Sequence, residues 1–399
     1  MRRRLQLLFF LLMLGLVSIL TIPLFAPAPA APIVMLTPLL STPDTYTFEV
    51  ITLENVMRLE EVYSIGIPDG RFSHPYYFPT GRLISTLYEE PGYVNLNGIR
   101  GKYMMRHFSD QKLALSAVAF TPDGEMFVSR GYDRKKPELG PVLLVNMVEQ
   151  GGEMYRLEGY RDLAFSPTGQ VALYYEGDNP HLQIWSGLDG HHIQTLDVQN
   201  VLIDHGLRYT LDGQFLIVRT LEPAEVIIFR AGTGQEVLRR LQLRTYALSP
   251  DTRLIALGRY QGGMEIWSVE HQALLKTMDT PRNATVQAQE FMPDGQRLLI
   301  TFSEGQSLYT DVYTWQSGEM LFSFGKDRPH IFTPDGRLMI SASAQSLRFW
   351  DTNTYALIST YEMALRTEDT RMVVMGPDGR TIAVEAQDES VKILAVVRP

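Results

Sequence analysis

From about residue 51 to the C-terminus the chain is written in short apolar runs, such as Gln214–Val218, Arg253–Leu257 and Arg297–Thr301, each bounded by Gly, Pro, Asp, Ser or Thr. Runs of this length, closed by turn formers, predict strands. One turn recurs. It reads Tyr77–Gly81, Phe120–Gly124, Phe165–Gly169, Tyr209–Gly213, Leu248–Thr252, Phe291–Gly295, Phe332–Gly336 and Met375–Gly379, and its proline position (Leu211 in the fourth copy) returns every 39 to 45 residues. Proline presets φ for the first central position of a type I turn, Asp suits the second, and Gly takes the left-handed position that closes a three-residue hairpin loop. After each turn comes an apolar strand. A third strand follows, often with a large aromatic, as in Leu182–Trp185, Met264–Trp267 and Leu347–Trp350, with Phe229 and Trp315 at matching places. A fourth follows in His192–Leu196 and Ala273–Thr277.

Four short strands per period of this length predict one blade of a β-propeller. The fold class is therefore all-β, a propeller of eight four-stranded blades. Seven is the alternative, because the first copy is the least regular, with Pro75 in its upstream strand and a second turn-like Pro68-Asp69-Gly70. After the eighth turn only Thr381–Val384 and Val391–Leu394 read as strands, so the last blade is one strand short. An open ring would expose strand edges. Residues Val56–Tyr63, ahead of the first turn, are expected to supply the missing outer strand.

The repeated Ser/Thr-Pro-Asp-Gly turn together with the third-strand Trp resembles the WD-repeat β-propeller family, in a divergent, exported bacterial form, over about residues 51–399. Only Trp350-Asp351 keeps that family's Trp-Asp pair, and its Gly-His pair is absent. The family's buried Asp–His–Ser/Thr–Trp network is therefore not carried over.

The chain opens Met1-Arg2-Arg3-Arg4, continues apolar from Leu5 to Ala26, and reaches Ala28-Pro29-Ala30. This is the pattern of a secretory signal with cleavage after Ala30. The apolar run is also long enough to stay as an anchor, its N-terminus held inside by the three arginines. Both readings place the body outside the cytoplasm, secreted or at the cell surface. Residues 31–50, with prolines at 32, 38 and 43, read as a linker, and 51–399 as the propeller. Any membrane contact is expected only through the N-terminal segment.

Composition narrows the chemistry. There are no cysteines, so a thiol nucleophile, a Cys-ligated metal and a disulfide scaffold are excluded. The net charge is −9, and losing residues 1–30 removes three arginines and no acid, lowering it to −12. Such a chain is not expected to bind nucleic acid. No H-E-x-x-H, G-x-S-x-G or P-loop sequence occurs, and no D-x-D-x-D-G calcium loop. His191-His192 falls at a predicted outer turn, where strand neighbours face apart. Gly232–Gly234 reads as a hairpin turn, and Asp178, Asp311 and Asp388 as turn carboxylates. No catalytic residue, metal or cofactor is expected.

Binding leaves a stronger trace. The residue six before each turn proline is Ser73, Ser116, Arg161, His205, Arg244, Gln287, Arg328 and Arg371 in order. This position opens the innermost strand, on the rim opposite the Pro-Asp-Gly turns. Arg161, His205, Arg244, Arg328 and Arg371 should thus form an arc around one mouth of the central channel. Guanidinium groups suit carboxylate or phosphate. Two uses stand: ties to acids of neighbouring blades, or a site for a ligand or partner. The second-to-third strand connection of blade two, Gly131–Gly140, is long and basic and should project on the same rim with Tyr132, Arg134, Lys135 and Lys136. The expected function is a non-catalytic scaffold for unidentified protein partners. The rival is a small anion, a sugar or an enzyme site at the channel mouth.

Overall fold

The structure, a computed structural model, describes residues 48–398, with interruptions of which 67–72, 78–82, 99–103, 149–152, 187–190 and 367–372 are the longest. The expected export segment lies outside the described residues. Backbone N–H and C=O groups of the strands pair within eight antiparallel sheets, seven of four strands and one of five. The inner strands, which number the sheets one to eight, are Ser73–Tyr77, Leu113–Phe120, Tyr160–Phe165, Leu202–Tyr209, Leu243–Leu248, Thr285–Phe291, Ile331–Phe332 and Val373–Met375. Sheet three shows the plan: Tyr160–Phe165 pairs Gln170–Tyr175, which pairs His181–Ser186, which pairs His192–Leu196. The chain is all-β, in a propeller-like arrangement.

The repeated turn has the expected geometry. Gly124, Gly169, Gly213, Gly295, Gly336 and Gly379 all take left-handed φ, between 65° and 87°, and Thr252 fills the same place in sheet five at 61°. The Ser/Thr that opens the turn adds a bond pattern of its own. The Thr121 hydroxyl donates to Asp123 Oδ1 (2.5 Å) and accepts the Met126 N–H (3.1 Å), while the Thr121 carbonyl accepts the Gly124 N–H (2.8 Å). Thr210 with Asp212, Ser249 with Asp251 and Thr333 with Asp335 repeat it.

Adjacent turns also touch. A Cβ on Gly336 would stand 2.7 Å from Pro293 Cβ of the preceding turn. Gly336→Ala is thus expected to lower stability by about 2 kcal/mol, from left-handed strain and this overlap. Chemical denaturation measures the loss, and Pro293→Gly, which removes that Cβ, should make Gly336→Ala less costly than it is in the parent chain.

Sheet eight takes its outer strand from the other end of the chain. Glu60–Gly66 pairs Ser390–Val397 along its length, and Phe48–Glu49 pairs Val396–Val397. The segment Val56–Tyr63 is therefore only partly strand. Thr52 N–H donates to Asn55 Oδ1 (2.8 Å) and Val56 N–H to the Thr52 carbonyl (3.0 Å), so a tight turn and the short 3-10 turn Val56–Arg58 use up the first residues. Phe48 and Glu49, assigned to the linker from sequence, belong to the sheet.

There is no single core. Eight apolar clusters lie between successive sheets, as with Val128, Val145 and Leu173 between two and three, or Tyr174, Ile184 and Leu216 between three and four. Ile65, Ala383 and Ile393 of sheet eight form another with Tyr77 of sheet one. The Tyr77 hydroxyl donates to Thr381 Oγ1 at 3.0 Å. Each sheet packs on the next, and the eighth on the first. The third-strand tryptophans do not share one network: Trp185 and Trp267 donate to Gln183 and Glu265 of their own strands, and Trp315 to the Gly295 carbonyl. Trp350 donates to Ser341 Oγ (2.9 Å).

Candidate functional site: the bulged rim and the inner strands

The position six before each turn has a structural meaning. In sheets two, three, five and six the inner strand slips register by one residue, and the residue skipped is Ser116, Arg161, Arg244 or Gln287. In sheet four the slip spans Ile203 to Leu207 and includes His205. A bulge leaves one residue outside the ladder and re-aims its side chain. Arg161 and Arg244 are thus bulged residues, while in sheet one the slip falls one residue later, between Ser73 and Pro75.

These bulges carry the bonds between sheets. Arg130 donates to the Arg161 carbonyl (3.5 Å) and Arg219, at the matching place two sheets on, to the Arg244 carbonyl (3.4 Å). Asp162 Oδ2 accepts the N–H groups of Gly206 (2.8 Å) and Leu207 (3.1 Å) in the bulge of sheet four. Burial pushes the Asp162 carboxyl up, against the pull of those backbone N–H groups and of Arg130. Thr245 donates to Gln289, whose amide donates to the Ala256 carbonyl (3.1 Å).

Arg161 pairs Glu176 of its own sheet at 2.5 Å, and Arg244 donates to Gln287 of the next sheet at 2.6 Å. Among the described residues, Arg161 thus holds an acid of its own sheet and Arg244 a neutral amide of the next. Arg328 is half-buried ahead of the inner strand of sheet seven. Arg371 and Arg134 lie outside the described residues, and of His205 only the backbone is described.

The basic connection in sheet two is shorter than expected, because the second strand runs to Asp133. Tyr132 stands opposite Ala114, at the bulged end of the sheet, and is 49% exposed. Lys135 and Lys136 are exposed beyond it. Asp133 Oδ1 accepts the Lys135 N–H (2.9 Å) and its carbonyl the Lys136 N–H (3.3 Å), which fixes the start of the loop.

Among the other candidates, Asp388 is in a turn, but Asp311 is not: it lies within the strand Ser307–Thr314 and is 4% exposed. Asp178 lies outside the described residues. His192 opens an outer strand with its ring against Trp185. Among the described residues no three metal-binding side chains stand together.

Two functional candidates escape a comparison made at a single position. The residue three before each turn is Tyr76, Ala119, Ala164, Arg208, Ala247, Glu290, Ile331 and Val374, so sheets four and six alone are charged there. The Arg208 charge acts on Glu290 although sheet five stands between them. Burial pushes the Glu290 carboxyl up to about 7, with Arg208 pulling it back. Tyr246, on the inner strand of sheet five, feels Arg208, Arg219 and Asp162 together. Aligning the repeats at this second position would have shown both charges.

No family model matches the chain, and no curated protein matches it. Among solved structures, the crystal structure of the computationally designed Ika8 protein is similar with a TM-score of 0.61 at 16% identity, over 84% of this chain and 99% of that one. At this identity the likeness concerns the fold.

Proposed function

We propose that the protein is an exported, eight-bladed propeller of divergent WD-repeat type, closed by its N-terminal strand, and that it acts as a non-catalytic docking platform. Eight sheets that pack in chain order, the last on the first, support the ring. The observation that carries the platform is the division of labour on the bulged rim. Arg161 and Arg244 are engaged inside the protein, while Tyr132, Lys135 and Lys136 project from a fixed turn. An exposed tyrosine flanked by cations on a rigid sheet end is a compact anchor for a protein partner, and local positive charge on an acidic chain selects an acidic segment.

The test is capture by the full chain of its partner from the surface of its own cells, followed by variants. Tyr132→Ala with Lys135→Glu and Lys136→Glu is expected to weaken that complex at least ten-fold and to leave the melting temperature unchanged. Binding should also fall with added salt. A complex that survives the triple variant would place the docking face elsewhere.

A further inference from the structure

We propose that the cavity between sheet eight and sheet one binds a small, flat, uncharged heteroaromatic molecule, read through its hydrogen-bonding edge by the side-chain amide of Asn97.

Strand register shows what is missing there. In sheets three to seven the third strand carries a large ring at one and the same rung: Trp185, Phe229, Trp267, Tyr313 and Trp350. Each ring packs into the cluster shared with the preceding sheet. Arg240 Cζ, from the outer strand of sheet four, lies 3.7 Å from the centre of the Trp267 ring. Phe324, from the outer strand of sheet six, meets Trp350 edge to face at 5.1 Å. In sheet one the same rung, which runs from Tyr77 through Ile84, holds Asn97. The sheet packed before it is the eighth, whose outer strand is Glu60–Gly66. A cavity of about 610 Å³ lies at that place, between Asn97 and Val62, Tyr63, Ser64 and Ile65. It has the size of a small-molecule site. Ile65 shares a cluster with Tyr77 of sheet one, and Tyr63, two residues away, is on the same face of its strand.

The amide makes this more than a packing gap. Asn97 is 4% exposed, and its Nδ2 has no hydrogen-bond partner among the described residues. Sheet two also has an asparagine at this rung, but there Asn146 Nδ2 donates to the Leu144 carbonyl (3.3 Å). A buried amide left unpaired is costly, and a bound acceptor removes the cost. The same chemistry selects the ligand. A ring in the cavity makes the contact that other sheets obtain from their own aromatic. An asparagine amide sets a donor beside an acceptor, so it pairs by two bonds with a carboxamide or with a purine edge. At the edge of the cavity Glu61 pairs Lys392 Nζ at 3.5 Å, and Asp388 pairs the same ammonium at 2.9 Å. Two acids on one base leave that edge negative, which disfavours an anion.

The experiment is titration calorimetry of the full chain at pH 7 with nicotinamide and with adenine. At least one of these is expected to bind, at one site per chain. Nicotinate, which puts a carboxylate in place of the amide, and toluene, which has no hydrogen-bonding edge, should bind about ten-fold more weakly or worse. Asn97→Leu replaces the unpaired amide by an apolar group of similar size, so it is expected to melt no lower than the parent. It should weaken binding of the nicotinamide or adenine by about ten-fold or more and leave toluene no worse bound. Asn97→Trp supplies the ring that sheets three, five and seven carry and should abolish binding of every probe. If that variant does not fold, Asn97→Leu decides alone. Failure of both nicotinamide and adenine to bind the parent, or binding unchanged in Asn97→Leu, overturns the site.

Discussion

A chain lacking residues 1–66 is expected to give no soluble monomer. The cut removes Glu60–Gly66 and bares the edge of Ser390–Val397, an open template for pairing with another molecule. It also empties the clusters of sheet eight. Ile51 and Val56 are 0% and 1% exposed, and Leu59 and Ile65 are 8% and 7%. Truncating one such side chain costs about 2–5 kcal/mol, and a whole domain is stable by about 5–15 kcal/mol. Losing four together exhausts that margin. Size-exclusion chromatography and circular dichroism of the shortened chain check it. A monomer with the parent's melting temperature would refute the closure. Ile51→Ala alone should fold, with a stability lower by about 2–5 kcal/mol.

Replacing Glu290 by glutamine should stabilise the protein above neutral pH and do nothing at pH 4. The folded carboxyl sits near 7, above its ordinary value of 4.5. Between those values the folded state holds a proton that the unfolded state has released. Stability is therefore full below the ordinary value and falls as pH rises through about 7, by roughly 3 kcal/mol for a shift of this size. Glutamine has the same shape and no charge to bury. Urea denaturation at pH 4 and pH 8 should show a gap between parent and Glu290→Gln that opens with pH. A gap of constant size would mean that the Glu290 charge is not what burial penalises.

The turns were legible because their chemistry is local. A proline, an aspartate and a glycine at fixed offsets specify a backbone shape before any partner strand is known. Their spacing then sets the length of each sheet. The pairing of an N-terminal strand with the last sheet was legible too, from the missing last strand, but its register was not. The bond from Thr52 to Asn55 competes with the strand for Val56–Arg58, and apolar spacing alone does not reveal that competition. The arginine series was visible as a period, while the bulge at Arg161 and Arg244 depends on counting residues against a second strand. Asp311 misled because an aspartate beside threonine imitates a turn. Its neighbours Ser307–Thr314 instead continue an eight-residue strand whose length is set by pairing with Arg297–Glu304. Arg208 and Glu290 carry no motif, and the burial that pushes the Glu290 carboxyl up exists only once the sheets have packed.

The closing strand imposes an order in time. Arg380 donates to the Phe48 carbonyl across 332 residues of chain. Every other sheet draws its strands from one stretch of sequence and can form as that stretch is made. The strand Glu60–Gly66 is synthesised ahead of all the strands it joins and finds its partner only when Ser390–Val397 has been made. At synthesis rates of about 5–20 residues per second it waits roughly half a minute with its edge unpaired. Whatever receives the growing chain must shield that edge for the whole interval. The step that completes sheet eight is therefore also the one at which an interrupted or hurried chain goes astray.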